Sequence, residues 1–287
     1  MPVRPLAAAL DLAGLNLLGV ADPAAWDRSM GPARKAAALF PGTRAILVVG
    51  NGGPAMWRAF VRDLDANPHH LTDEANPFDA FARRAILKAD AALGDAPRRW
   101  FWASADAEMH IDFRVLARLA GFGQASRLGL LLHDTFGPWL GLRAACFVGL
   151  DLPFATPDLG LAPEPGATPG AASEPLSPHC ESCSVCVAAC PGAALPGGRW
   201  AVDVCSTYHH ISTRCVSSCQ ARSACPVGVA HHYDEAEITY HYNRALGRQA
   251  LRARLGLPAG RGPDGDRFDG IGPHWTDWRT RVDVAGG

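Results

Sequence analysis

No apolar run in this 287-residue chain approaches the ~20 residues that a membrane-spanning helix needs, so nothing in it reads as a membrane span. Positive charge is not in excess. Against 28 Asp and Glu stand 27 Lys and Arg, a formal net charge of −1, without the basic surplus of a nucleic-acid-binding face. Lysine is scarce, with Lys35 and Lys88 the two in the chain. That scarcity bears on a glycine turn, Gly50-Asn51-Gly52-Gly53-Pro54, which follows the β-branched run at 44–49. It matches neither G-x-G-x-x-G nor G-x4-G-K-[ST], and no lysine closes it, so phosphate binding there is weakly signalled. A turn with Pro54 opening a helix accounts for it as well. No export signal is evident. The stretch 6–20 is apolar, but Asp11 interrupts it and only Arg4 precedes it, so it reads as an amphipathic first helix. A twin-arginine signal is absent too. The expectation from these absences is a cytoplasmic protein.

Cysteine, by contrast, is plentiful and local. Eight of the nine cysteines lie between Cys180 and Cys225. Cys180, Cys183, Cys186 and Cys190 with Pro191 form C-x2-C-x2-C-x3-C-P, the bacterial run that holds a [4Fe–4S] cluster and gives its last cysteine to a second one. Cys205, Cys215, Cys219 and Cys225 follow, the last again before a proline, Pro226. Eight thiolates suit two four-iron clusters. A zinc ribbon would use two separated C-x2-4-C pairs. A disulfide framework needs an oxidising compartment, and an odd count of nine argues against it. Cys146 stands alone in an apolar run and reads as a small buried residue.

Around this segment the chain divides by composition. Leucines at helical spacing predict a helix over 5–18, and the run 44–49 predicts a buried strand. Asn76-Pro77-Phe78-Asp79 opens a helix through about residue 93, and 99–103 reads as a strand. Asp106, Glu108, His110 and Asp112 cluster before a helix at 113–119; they could supply a proton donor, or form an ordinary solvated loop. Gly121 and Gly123 end that helix. Two apolar strands are expected at 128–132 and 144–150, joined by a turn flanked by His133 and Arg143. Residues 153–178 hold seven prolines and read as a linker. The cysteine module occupies 179–232, a helix is expected over 233–255, and a second, glycine-rich linker over 256–272. The tail 273–287 carries Trp275 and Trp278, and two indoles so close together should dock back onto the first domain.

Two resemblances emerge. The stretch Leu132-His133-Asp134-Thr135-Phe136-Gly137-Pro138-Trp139-Leu140-Gly141-Leu142-Arg143-Ala144, with Gly149-Leu150-Asp151-Leu152-Pro153, resembles the cobalamin-processing chaperones of the CblC type. So do Leu47-Val48-Val49 with Pro54-Ala55-Met56, Asn76-Pro77-Phe78-Asp79, and the tail His274-Trp275-x-Asp277-Trp278. The cysteine segment instead resembles epoxyqueuosine reductase, where the same motif precedes a lone Cys-x-x-Tyr, here Cys205-Ser206-Thr207-Tyr208, and a last group ending in Cys-Pro. Here that group is spaced Cys215-x3-Cys219-x5-Cys225, wider than the C-x2-C-x3-C of that family. The resemblance implies one cluster on Cys180, Cys183, Cys186 and Cys225, and another on Cys190, Cys205, Cys215 and Cys219.

Together the resemblances imply an α+β fold: a nitroreductase-like, cobalamin-binding domain at 1–155 with an inserted ferredoxin-like module. They imply cobalamin bound base-off near His133, Phe136, Trp139, Arg143, Trp275 and Trp278. Arg143, His274, Trp275 and Asp112 become candidates for handling the upper ligand or the proton. Arg143 reads equally as a surface arginine at a strand end, and Trp275 as core packing. Two low-potential clusters, fed by an external electron donor, would supply the electrons that reduce cobalt, with glutathione as a possible thiol partner. The leading expectation is therefore reductive processing of cobalamin. A tRNA-modifying reductase is the alternative, weakened because that family continues into helical repeats and because neither Asp106 nor Asp112 fits its catalytic aspartate cleanly. A respiratory dehalogenase is disfavoured by the missing export signal, and a plain electron carrier would bind no cobalamin.

Overall fold

A computed structural model describes residues 3–104, 111–154, 175–212 and 214–260. Its centre is a four-stranded antiparallel sheet, ordered β1 (Leu17–Ala21), β2 (Ala45–Gly52), β6 (Leu140–Val148), β3 (Arg98–Trp102). A two-stranded piece, β4 (Gln124–Ala125) with β5 (Leu131–Leu132), stands apart. The first half of the chain also supplies helices α1 (Val3–Asp11), α2 (Pro23–Ser29), α3 (Ala36–Leu39), α4 (Ala55–Ala66), α5 (His69–Asp73), α6 (Pro77–Ala89) and α7 (Phe113–Leu119). The cysteine segment carries α8 (Val185–Ala189), α9 (Val202–Ile211) and α10 (Gln220–Ser223), followed by α11 (Glu235–Tyr242) and α12 (Arg244–Arg254).

β2 is buried along its whole length. A strand hidden on both faces reads as an unbroken apolar run, and that is how 45–49 reads. Alternate residues go to opposite sides. Ala45, Leu47 and Val49, with Ala144, Cys146 and Val148 from β6, pack under α1, α4 and α6, where Phe60, Phe78 and Ile86 complete the core. Ile46 and Val48, with Ala145 and Phe147, face α2, α3 and α7 through Trp26, Leu39 and Leu116. The architecture is thus a mixed α+β one, with helices on both sides of the sheet.

The sequence misplaces several element boundaries, among them the strand expected at 144–150, which runs Leu140–Val148 and takes Arg143 out of the expected turn. The helix expected over 5–18 stops at Asp11. Gly14 then turns at φ +71, where a Cβ would lie 2.4 Å from the Ala55 carbonyl carbon. Leu17 and Leu18 pair with β2 instead, so tertiary pairing overrides a leucine spacing that fits a helix equally well. The strand expected at 128–132 shrinks to its last two residues, because Ser126 closes a turn on the Leu130 carbonyl through both its amide (3.2 Å) and its hydroxyl (2.7 Å). The helix expected at 233–255 breaks at Asn243, whose side chain accepts from the Leu246 amide at 3.1 Å and caps α12. Most of the first linker, the second linker beyond Gly260, and the tail with His274, Trp275 and Trp278 lie outside the described residues. Where the first linker is described again, Leu176 bridges Ala125 in parallel and ties the cysteine segment to β4.

Candidate functional site

The cysteines form two groups. Cys180, Cys183, Cys186 and Cys225 line one small cavity, walled on the other side by Ser126, Leu128 and Leu132 next to β5. Burial, then the crowding of Cys180, Cys225 and Cys183, pushes the Cys186 thiol above its ordinary range. The second group is Cys190, Cys205, Cys215 and Cys219. Burial pushes Cys215 up to about 11, with Cys219, Cys205 and Cys190 adding to it. Thiols so crowded resist ionising until a metal draws the proton off, since a coordinating thiol is deprotonated outright. Backbone amides already point at two sulfurs: Ala194 donates to Cys190 Sγ at 3.3 Å, and Arg222 to Cys219 Sγ at 3.4 Å. Among the described residues no three His, Cys, Asp or Glu side chains converge as a single metal ion would require. A thiol quartet spread around a space is instead a donor set suited to an iron–sulfur cluster, which takes one cysteine at each of four corners.

The turn at 133–137 locks this module to the sheet. His133 and Gly137 exchange backbone hydrogen bonds of 2.9 and 2.7 Å, and His133 Nδ1 accepts from the amides of Thr135 and Phe136 at 3.0 and 3.3 Å. Gly137, at φ +58, presses so closely on the carbonyl of Val227, the residue after Cys225-Pro226, that a Cβ would lie 2.0 Å from its oxygen, which explains glycine at 137. Burial holds the His133 ring below the usual imidazole range; nearby His231 acts in the same direction and Asp134 against it. Arg127 reaches across as well, donating from Nε to the Cys180 carbonyl at 2.7 Å.

Arg143 occupies an unusual backbone position. The β2–β6 register runs Val49 to Ala144 and then Gly50 to Leu142, so Arg143 is the extra residue of a β-bulge. Bulges re-aim side chains, and this one sends the guanidinium against buried polar groups. Nε donates to Asn51 Oδ1 at 2.8 Å, Nη1 donates to Asp79 Oδ1 at 3.3 Å, and the ring of Phe78 lies 4.7 Å beneath. Asn51 is fully buried, and its Nδ2 has no hydrogen-bond partner among the described residues. Arg143 thereby lines a cavity of about 330 Å³ with Asn76, Asp79, Trp102 and Ser104. Arg83 stacks on Trp102 at 4.8 Å along the same wall. Arg244 and Arg248, from α12, hydrogen-bond Asn76 and the Glu74 and Ala75 carbonyls, fixing the cavity's rim.

Behind Arg143 lies a polar interior built by α11. Glu237 is fully buried and neither oxygen accepts a hydrogen bond from the described residues; His241 Nε2 stands 3.8 Å away. Burial raises Glu237 to about 8, Asp234 adds to this, and Arg143, Arg222 and Arg58 oppose it. His241 is held well below the usual imidazole range, first by burial and then by Arg143, Arg222 and Arg244.

No family model matches the chain, and no curated protein does. Solved structures do. The fold is similar to that of epoxyqueuosine reductase. A selenomethionine-labelled epoxyqueuosine reductase shares 12% identity over 82% of this chain and 68% of its own, with a TM-score of 0.50. Epoxyqueuosine reductase with an epoxyqueuosine-modified tRNA-Tyr stem loop shares 13% over 83% and 68%, also at 0.50. At such identity the likeness is one of fold. It lies with the second of the two resemblances read from the sequence, and the cobalamin-processing one gains nothing from it.

Of the residues singled out in the sequence, Arg143 lines the cavity, whereas Phe136 and Trp139 pack between module and sheet. Phe136 fills the space beside Gly52 and stacks near His231; Trp139 is enclosed by His232, Tyr233 and Arg222. Asp112 caps α7, accepting from the amides of Arg114 and Val115 at 3.1 Å each. Asn51, Glu237, His241 and Arg222 escaped sequence reasoning, and Asp79 entered it only as part of the motif Asn76-Pro77-Phe78-Asp79. Asn51 sits in the glycine turn examined for phosphate, and Arg222 in the long spacer between Cys219 and Cys225. Neither belongs to a motif that would have marked it.

Proposed function

We propose that the chain is an iron–sulfur oxidoreductase of the epoxyqueuosine reductase type. Cys180, Cys183, Cys186 and Cys225 would hold one [4Fe–4S] cluster and Cys190, Cys205, Cys215 and Cys219 another, which would supply electrons for a substrate bound in the cavity at Arg143. The observation that carries this reading is the division of eight cysteines into two quartets, the first of them set against β5 of the sheet domain. When bound, the clusters supply single electrons. The protein's own residues orient the substrate and exclude water: Arg143 and Asn76 offer hydrogen-bond donors, Asp79 an acceptor, and Trp102 with Arg83 a stacking wall. An external low-potential donor feeds the module.

Reduction of an epoxide to an alkene or an alcohol takes two electrons and two protons. The substrate class to test first is therefore an epoxide-bearing modified nucleoside, free or in a stem loop, since a net charge of −1 offers little general attraction for RNA. Cobalamin remains the weaker part of the reading. The likeness of fold adds nothing that places a corrin in the cavity of about 330 Å³ at Arg143.

The test is anaerobic reconstitution followed by iron analysis and turnover of an epoxyqueuosine-bearing stem loop with a low-potential reductant. About eight irons per chain are expected, with product formed by the native protein and lost in Cys183→Ser. Four irons or fewer would remove the two-cluster reading. Full iron with no turnover would remove the substrate class.

A further inference from the structure

The floor and the mouth of the cavity at Arg143 differ in charge. Four charged side chains line it: Glu74, Asp79, Arg83 and Arg143. On the floor, Arg143 and Asp79 satisfy each other across 3.3 Å. Glu74 is met by Arg84. At the mouth, Arg83 and Ser104 are exposed. Arg83 makes neither a hydrogen bond nor an ion pair with any described residue; what holds it is the ring of Trp102, 4.8 Å beneath its Cζ. Asp79 stands one turn earlier on the same helix, α6, but its Oδ1 is turned to Arg143.

A guanidinium laid flat on an indole uses its face for the contact. Its N–H donors stay free in the plane, in the fork that matches a phosphate bidentately. The platform beneath it is fixed by the sheet. Trp102 is paired with Ala144 at the end of β3, and the next amide, that of Ala103, donates to the Arg143 carbonyl at 3.0 Å. Mouth and floor therefore sit on adjacent strands and keep a set spacing. The floor offers a neutral, polar surface made of a guanidinium–carboxylate pair and Asn76. The mouth offers a cation that nothing among the described residues neutralises, with the Ser104 hydroxyl beside it on the lining.

We propose that Arg83 is a specificity-determining residue of this cavity. Together with Ser104 it takes a phosphate ester at the mouth, so the ligand is a nucleotide whose uncharged nucleoside end lies against Arg143, Asp79 and Asn76. The proposal rests on the modified-nucleoside reading above and narrows it. A mononucleotide presents such an ester at its end and a stem loop presents one in its backbone; the chemistry that Arg83 reads is the same. An arginine placed only to cover Trp102 would make the same ring contact and would not distinguish a nucleotide from its nucleoside.

The experiment is calorimetric binding to the reconstituted full chain, without reductant so that nothing turns over. The probes are the epoxyqueuosine nucleoside, its 5′-monophosphate and an epoxyqueuosine-bearing stem loop. Wild type should bind at least one phosphate-bearing probe about tenfold or more tighter than the nucleoside, and added salt should weaken that binding while sparing the nucleoside's. Arg83→Gln should bring the phosphate-bearing probe down to the nucleoside's affinity and leave the nucleoside unmoved. Arg83→Lys should keep part of the gain, and Ser104→Ala should lose a smaller part. A gain carried by the monophosphate assigns the mouth to a terminal ester. A gain confined to the stem loop assigns it to a backbone ester. Equal wild-type affinities for all three probes would overturn the proposal. So would an Arg83→Gln loss shared equally by the nucleoside, which would assign Arg83 to packing on Trp102. A wild-type chain that binds none of the three overturns the modified-nucleoside reading itself, and this inference with it.

Discussion

The sheet domain and the cysteine module are held together by different physics. Around the sheet, Leu6, Trp26, Ile46, Phe60, Ile86 and Phe147 are fully buried, on two cores that share one set of strands. In the module the described buried apolar residues are Ala194, Leu195 and Ala221, the last two joined by Leu128 from the sheet side, with cysteines packed at the edge. Val185, Trp200, Val202, Val204 and Val216 are all at least 40% exposed. A segment with so small a core needs staples, whether disulfide or metal. One half of the chain therefore folds by burying apolar surface; the other has a few cross-links such as Arg127 and the Gly137 contact, and on the proposed function its order would come from the clusters its thiols hold.

The largest expected effect attacks that difference directly. Removing the metal, by chelation or by Cys186→Ser, should open residues 179–232 to protease while the sheet domain keeps its far-ultraviolet signal and its thermal transition. Metal binding of this kind is itself folding free energy. Equal protease resistance with and without iron would show that the module folds by packing alone and would erase the contrast.

Next in size is the converse cut, made in the sheet domain. Phe60 contacts the rings of Trp57, Phe78, Phe81 and Tyr240 at centroid distances of 5.2 to 6.0 Å. Phe60→Ala should cost about 3–5 kcal/mol, read as a lowered thermal midpoint, with iron content unchanged. A loss of iron in step with stability would mean the two regions fold as one unit.

How much of this could be read in advance follows the same division. β2 was legible because a doubly covered strand must be apolar throughout. The cysteine spacing was legible as a cluster-type motif; even the widened gaps at Cys215, Cys219 and Cys225 leave two groups of four in space. The interior between the regions was not legible. Arg143 does its work through a bulge, and no residue pattern announces a register shift. Glu237 and His241 sit one turn apart on a helix of mixed charge, where a salt-bridged surface pair would look identical in sequence. Burying that pair depends on where α11 docks, and docking is a property of the whole fold.

Glu237 offers a smaller effect that tests this buried interior. Its carboxyl titrates near 8 in the folded protein and near 4.5 in a model peptide, so the folded state binds the proton more tightly. The resulting stabilisation is complete below about pH 4.5 and is lost as pH rises toward 8. Glu237→Gln cannot ionise. Relative to wild type it should therefore gain stability steadily between those limits, by on the order of a few kcal/mol at the alkaline end. Denaturant midpoints at pH 5, 7 and 9 check this, taken on the apo sheet domain's transition so that iron loss does not enter. A constant offset across the range would show that the carboxylate is solvated or paired.

The smallest effect separates two roles for one residue. Asp112 was a candidate proton donor in the sequence, and the structure gives its carboxylate the amides of Arg114 and Val115 at the start of α7. An N-cap of this kind is worth about 1 kcal/mol. Asn caps a helix as well as Asp but carries no acidic proton, so the pair Asp112→Asn and Asp112→Ala divides the possibilities. If the cap is the whole of its work, Asp112→Ala loses about 1 kcal/mol and Asp112→Asn loses neither stability nor turnover. If Asp112→Asn keeps its stability and loses turnover, the carboxyl also serves the reaction, and the loop before α7 belongs to the site that Arg143 lines.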